Sequence, residues 1–242
     1  LSELNEAFDE AARDDEVRVI ILAADGKHFS AGHDLRADTD MSDIDPLGTW
    51  CCFDAEGAEG YMAKEAEMYV GLCWRWRNIP KPTIAQVHGK VIAGGLMLMW
   101  PMDLVVCSHD ATFSDPVVAF GVNGHEYFTH PFEAGARLAK EMLFTGRSIT
   151  ADEALRCGMV NTVVARDDLE STTLAMAERI AQRPMIGLTL AKQSVNNTLD
   201  QMGMYTSIQS AFALHHVGHN HNARVHGMIV DPAGTQVIRD EA

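Results

Sequence analysis

Two short segments hold residues that could do chemistry through their backbones alone. One is Phe29-Ser30-Ala31-Gly32-His33-Asp34-Leu35, and the other runs from Pro80-Lys81-Pro82 through Thr83 to His88 and on to Gly94-Gly95. Each sets a turn of small residues just after an apolar, strand-like run. Such turns can aim main-chain N–H groups at one oxygen on which negative charge develops, as in an enolate or a tetrahedral oxyanion. A single preorganised donor in a dry site is worth roughly 3–4 kcal/mol to such a transition state. Gly94-Gly95 also opens a helical run, Leu96-Met97-Leu98-Met99, whose N-terminal dipole favours the same charge.

Proton transfer needs titratable side chains as well. Glu126 sits in the segment Gly121 to Phe128 beside apolar Tyr127 and Phe128. Burial there would raise its pKa into a range useful near neutral pH, whereas on an open loop it would simply be solvated. His125 either assists Glu126 or faces solvent, and His33 either reaches a pocket or caps its turn. Asp34 and Asp115 read as turn residues. Ser30 and Ser114 are conceivable nucleophiles, but no His and acid stand around either in a recognisable order, so a hydrolase ranks last. Near the C-terminus lie His215, His216, His219, His221 and His226. The i, i+4 spacing of His215 and His219 is compatible with zinc, yet no glutamate completes a metalloprotease pattern. The expectation is therefore a solvated or interface helix and no metal site.

The elements that must position these groups follow from periodicity. Leu1, Leu4 and Phe8 mark an amphipathic helix, and Val17 to Ala24 a strand covered on both faces. From Asp38 to Gly60 the chain has no sustained period, which suggests a long loop bordering the site. Tyr61 to Arg77 is helical, with Met62, Ala66, Tyr69, Leu72, Cys73 and Trp76 on one face, and Pro80 and Pro82 end it. Thr83 to His88 is a second buried strand. Leu104 to Ser108 and Ala111 to Ser114 read as a strand pair joined at His109-Asp110. Thr150 and Glu153 have capping-box spacing at a helix start. Met159 to Ala165 is a strand, Asp167 to Gln182 a helix, and two further helices cover Ile186 to Gln201 and Tyr205 to about Val225 before a polar tail. Strands alternating with helices, then helices alone, argue for an α/β core with a helical extension.

Composition narrows the function classes. With 34 acidic against 19 basic residues and a formal charge of −15, the surface would repel a nucleic acid, though a small anion needs only local cations and amides. No stretch approaches the ~20 apolar residues of a membrane span, and the acidic first residues do not look like a signal peptide. Five cysteines, with Cys51 and Cys52 adjacent, fit free thiols in a reducing cytoplasm.

The two small-residue segments, with Lys81-Pro82 and Asp103 at matching spacing, resemble the crotonase (enoyl-CoA hydratase/isomerase) superfamily from about Leu1 to about Val195. The resemblance implies an α/β fold, a crotonase-like spiral of ββα units with a C-terminal helical extension. Residues 1–184 would form the acyl-CoA-binding core and 185–242 a helical region for packing and oligomerisation, as a homotrimer or dimer of trimers. The family's initial β-hairpin has no counterpart here. By motif position, the oxyanion donors would be the amides of His33 and Gly94. Ala31, Gly32, Gly95, Met97, Val117 and His125 would border the substrate, and the cations Lys27 and Arg36, which flank the first motif, would suit a phosphate of CoA. The family's hydratases carry one glutamate three residues after the glycine matching Gly94 and another just after the proline matching Pro116. Here those positions hold Met97 and Val117, which cannot move a proton. Glu126 lies where related enzymes turn back over the acyl pocket. The reading is an acyl-CoA enzyme using one acid/base group, isomerase-like rather than a two-glutamate hydratase, with no cofactor beyond the coenzyme A of its substrate. The rival is a non-catalytic acyl-CoA-binding or assembly subunit.

Overall fold

The computed structural model describes residues 1–33 and 55–241. Helix α1 (Ser2–Arg13) buries Phe8 against Trp76, their ring centroids 5.3 Å apart, and leads into strand β1 (Ile20–Leu22). Strands β2 (Thr83–Val87), β4 (Leu104–Ser108) and β7 (Thr162–Val164) join β1 in a parallel sheet of order β1-β2-β4-β7. Ile84 and Ala85 of its central strand are fully covered, as a sheet buried on both faces requires. A second sheet holds β3 (Lys90–Ile92) and β5 (Thr112–Ser114) in parallel, with β6 (Ile149–Thr150) antiparallel to β5. Ser30 bridges to Val91 at the edge of that second sheet.

The chain thus visits both sheets in each turn: β1 then Ser30, β2 then β3, β4 then β5. This is the repeating step of a ββα spiral. It corrects one expectation from sequence. Leu104–Ser108 and Thr112–Ser114 are both strands, but they do not pair with each other; the turn at His109-Asp110 carries the chain from one sheet to the other. Strand β4 has the expected bounds, whereas β1, β2, β5 and β7 are shorter than the apolar runs that announced them.

Helix α2 (Ala58–Glu65) passes through a π-helical segment, Ala66–Gly71, into α3 (Leu72–Arg77). Helix α4 (Gly94–Met99) follows β3 directly, and a 3-10 turn covers Pro116–Phe120. Helices α5 (His130–Glu133) and α6 (Gly135–Thr145) fill a region that carried no expectation. Helix α7 (Ala151–Cys157) opens on the anticipated capping box of Thr150 and Glu153, and α8 (Leu169–Ala181) covers the outer face of the four-stranded sheet. Helices α9 (Met185–Gln201), α10 (Met204–His226) and α11 (Gly234–Glu241) end the chain, the last lying where a polar tail was expected.

Met204, Ile208 and Phe212 of α10 enter the same apolar cluster as Trp76, Leu96, Met99 and Phe113. Lys81 and Asp103 anchor the start of β2. The Lys81 ammonium donates to the carbonyls of Ala11 and Asp14, at 2.9 and 2.5 Å. Asp103 accepts from the Thr83 amide and hydroxyl, at 2.8 and 3.0 Å.

Candidate active site

The two small-residue turns meet. Gly32 has φ +93°, a conformation that favours glycine, and a Cβ there would lie 3.0 Å from the Ile92 carbonyl oxygen. A Cβ on Gly94 would lie 2.8 Å from His33 Nδ1 and 3.5 Å from Gly32 Cα. Ala93, just before Gly94, is held at φ 45°, a strained conformation for a residue with a side chain. Its own hydrogen bonds hold it there. The Ala93 amide donates to Ser114 O at 2.9 Å, and its carbonyl accepts from the Leu96 amide at 2.8 Å. Among the described residues, neither the His33 nor the Gly94 amide donates to a main-chain or side-chain acceptor. Both residues border one cavity of about 270 Å³, walled by Met68, Tyr69, Cys73 and Met97. Met68 and Tyr69 come from the π-helical segment, which shifts the helical register where the cavity needs a wall.

Behind this cavity lies a buried ionisable group. The Glu126 carboxyl is 6 % exposed, with Oε1 3.9 Å from His33 Nε2 and 3.7 Å from His215 Nε2. Burial, and then the nearby charge of Glu65, push its pKa well above the carboxylate range. His33 stacks edge-on against Tyr69 at 4.8 Å, and the partial burial of its ring lowers its pKa. Glu126 is not among the described residues that line the cavity; His33, 3.9 Å from it, is.

Of the other residues singled out from sequence, Gly32 and Met97 line the cavity while Ala31, Gly95, Lys27, Val117 and His125 do not. Lys27 and Ala31 are exposed. Gly95 packs so closely that a Cβ would sit 2.9 Å from Ser30 O. Val117 is half-buried in the 3-10 turn. His125 does not face solvent: it is 2 % exposed, its ring lies 5.1 Å from that of Trp100, and burial pushes its pKa down. Ser30 Oγ accepts from the Gly32 amide at 3.3 Å, a turn-stabilising role. Asp115 does more than shape a turn. Buried completely, it accepts from the His125 amide and pairs with His130 Nε2, both at 2.8 Å. Burial alone would raise its pKa, but these partners outweigh that and hold it at about 2. Asp34, Arg36 and most of the expected 38–60 loop lie outside the described residues.

Three of the five C-terminal histidines are not on a solvated face, whereas His221 and His226 are exposed. His215, His216 and His219 are no more than 7 % exposed, and the Glu65 carboxylate lies among them, 3.1 Å from His216 Nε2. Burial would raise the Glu65 pKa, but the His216 contact and the neighbouring imidazoles outweigh it and lower it. Glu65 went unnoticed in the sequence, although its spacing from Tyr69, Leu72 and Trp76 puts it on the apolar stripe of its helix.

Comparison with known proteins agrees with this architecture. The family model described as enoyl-CoA hydratase/isomerase matches residues 1–230. A crystal structure titled "probable enoyl-CoA hydratase" from Mycobacterium smegmatis is 50% identical, with a TM-score of 0.86, covering 95% of this chain and 87% of that one. Its counterpart from Mycobacterium thermoresistibile is 47% identical, also with a TM-score of 0.86 and the same coverage. The 4-chlorobenzoyl coenzyme A dehalogenase-1 of Arthrobacter is 31% identical over 229 residues, 92% of this chain and 78% of that protein. Among the described residues no helix is long and apolar enough to cross a membrane. With the spiral of ββα turns, the abutting glycine turns and a family match over nearly the whole chain, this protein belongs to the enoyl-CoA hydratase/isomerase family of the crotonase superfamily, a family of enzymes.

Proposed function

We propose that the chain binds an acyl-CoA thioester with its carbonyl oxygen between the amides of His33 and Gly94, and turns it over through an enolate or oxyanion. The observation that carries this reading is the pair of abutting turns, whose two residues border one largely apolar cavity and whose amides find no acceptor among the described residues. Hydration by two glutamates is not the route, because Met97 and Val117 hold those positions and neither can activate water. The proton moves instead through Glu126 and the cavity-lining His33 ring, 3.9 Å from it. A single carboxyl serving as acid and base in turn suits double-bond isomerisation, or attack on an unusual acyl group. That a relative is named a dehalogenase of an aryl-CoA supports chemistry other than hydration on this frame. Coenzyme A enters only as part of the substrate.

Turnover of crotonyl-CoA and of a 3-enoyl-CoA tests this. Slow hydration with faster isomerisation is expected, and ordinary hydratase rates would overturn the assignment. Glu126→Gln should lower the isomerisation kcat by roughly 10²-fold or more while CoA-ester binding persists. The apolar residues at both hydratase positions favour one rival, a non-catalytic acyl-CoA-binding subunit, for which Glu126→Gln would change nothing. We further read the chain as a homotrimer or dimer of trimers, on the exposed apolar residues Ile186, Val195, Met202, Leu214 and Val217 of α9, α10 and their junction. The free thiols Cys73, Cys107 and Cys157 support a reducing, cytoplasmic setting.

A further inference from the structure

The C-terminal end of α2 and the middle of α10 meet through a cluster of buried polar side chains. Helix α10 presents His215, His216 and His219 at i, i+1 and i+4, and α2 presents Glu65. All four are buried. Glu65 Oε2 lies 4.0 Å from His215 Nε2, and Oε1 lies 3.8 Å from His219 Nε2. The other nitrogen of each of these two rings is tied to a main-chain carbonyl: His215 Nδ1 to Gly124 O at 2.8 Å, and His219 Nδ1 to Ile229 O at 2.6 Å.

A carbonyl only accepts, so each Nδ1 carries a hydrogen, and a ring holding that one hydrogen turns a bare Nε2 lone pair towards the carboxylate. The Nε2 atoms of His215 and His219 have no hydrogen-bond partner, whereas His216 Nε2 lies 3.1 Å from Glu65 Oε2. Buried acceptors facing one another in this way are costly unless a positive charge lies between them. Two imidazoles and one carboxylate form a common donor set for zinc, and anchoring the outer ring nitrogen to a carbonyl is the usual way a metal-binding histidine is oriented. The three ligand atoms lie within 4.8 Å of one another. Bonds of about 2.0–2.2 Å to a tetrahedral ion need them closer by roughly an ångström, within reach of side-chain rotation.

We propose that Glu65, His215 and His219 bind a divalent transition-metal ion of the zinc class. His216 holds the second oxygen of Glu65. The mixed nitrogen and oxygen set excludes magnesium and calcium as preferred occupants, since those ions favour oxygen alone. The ion would tie α10 to the helix that walls the cavity. None of its three ligands lines the cavity, but His215 Nε2 lies 3.7 Å from Glu126 Oε1, so an ion here would neighbour the acid/base group of the acyl-CoA reading; zinc uptake tests the site without relying on that activity.

The full chain, stripped with a chelator and dialysed, should take up about one zinc per chain by elemental analysis. At ~100-fold excess over Kd its Tm should rise by about 5–10 °C. The cobalt(II) form should show the visible absorption of a four- or five-coordinate ion. Glu65→Gln and His219→Gln should lose the stoichiometric ion and the Tm rise, leaving the Asp115, His125 and His130 cluster untouched. Should either variant fail to fold, X-ray absorption on the zinc-loaded wild type decides: two imidazoles with oxygen and no sulfur support the site. A folded, stripped wild type that takes up no zinc would overturn the proposal, showing that protons alone reconcile the cluster. Sulfur in the first shell, or undiminished uptake by both folded variants, would also overturn it.

Discussion

Gly94 and Asp115 show how far single residues govern this site. At Gly94 a methyl group would enter the space of the His33 ring, 2.8 Å from Nδ1, while the surrounding core would be left intact. Gly94→Ala should therefore keep its fold by circular dichroism yet lose roughly 10²-fold in kcat on its acyl-CoA substrate, the scale of losing one oxyanion donor. An unchanged kcat would mean that the thioester oxygen sits elsewhere. Asp115 acts on stability instead. Its folded pKa, about 2, lies below the ordinary carboxylate range, so its stabilisation is present above about pH 4 and is lost as pH falls towards 2. Asp115→Asn should remove that part of the acid limb of a pH–stability curve. It should also cost about 3 kcal/mol near pH 7, because His130 is left buried without its partner. Both roles were only partly legible in the sequence. Gly94 is announced by its turn, but the two histidine contacts of Asp115 come from residues 10 and 15 positions on.

Elements transmit the fold's geometry to the site through close contacts. Helix α10 packs against the loop at Gly121 so tightly that a Cβ on Gly218 would lie 2.5 Å from Gly121 O. Because this is main chain, the helix itself would have to move. Gly218→Ala should cost about 1–3 kcal/mol and displace His215, whose Nδ1 anchor is Gly124 O. Thermal melts check this directly, and an unchanged Tm would show that α10 is loosely seated. At α7, the capping box has Thr150 Oγ1 accepting from the Glu153 amide at 3.3 Å and Glu153 Oε2 accepting from the Thr150 amide at 2.9 Å. Thr150→Ala should cost about 1 kcal/mol in urea unfolding. That motif could be read directly from spacing because every partner is local. Helices α5 and α6 could not, since their apolar residues, Met142 among them, satisfy a core built by distant strands.

At the scale of the whole molecule, the open question is what covers the apolar residues of α9 and α10. Ile186 is 67 % exposed and Val217 63 %, values out of keeping with a long-lived monomer surface. Light scattering should give three or six times the 26.5 kDa of one chain. A monomer at micromolar concentration would refute the trimer, and charged substitutions such as Val217→Glu should shift an existing trimer towards monomer.

The sequence by itself determined the local features: the two glycine turns, the buried strands, the capping box, and apolar Met97 and Val117 at the positions where the family resemblance implies glutamates. Each is written in neighbouring residues, where sterics and periodicity act without help from the rest of the chain. Only the tertiary structure decided which groups meet. Glu65 stands 150 positions before His215, and no spacing rule links them; they face each other because α10 folds back across α2. The same return of the chain buries His215, His216 and His219, and brings His215 Nε2 to 3.7 Å from Glu126 Oε1. Long-range packing chooses partners for buried polar groups, and a one-dimensional pattern carries no record of that choice.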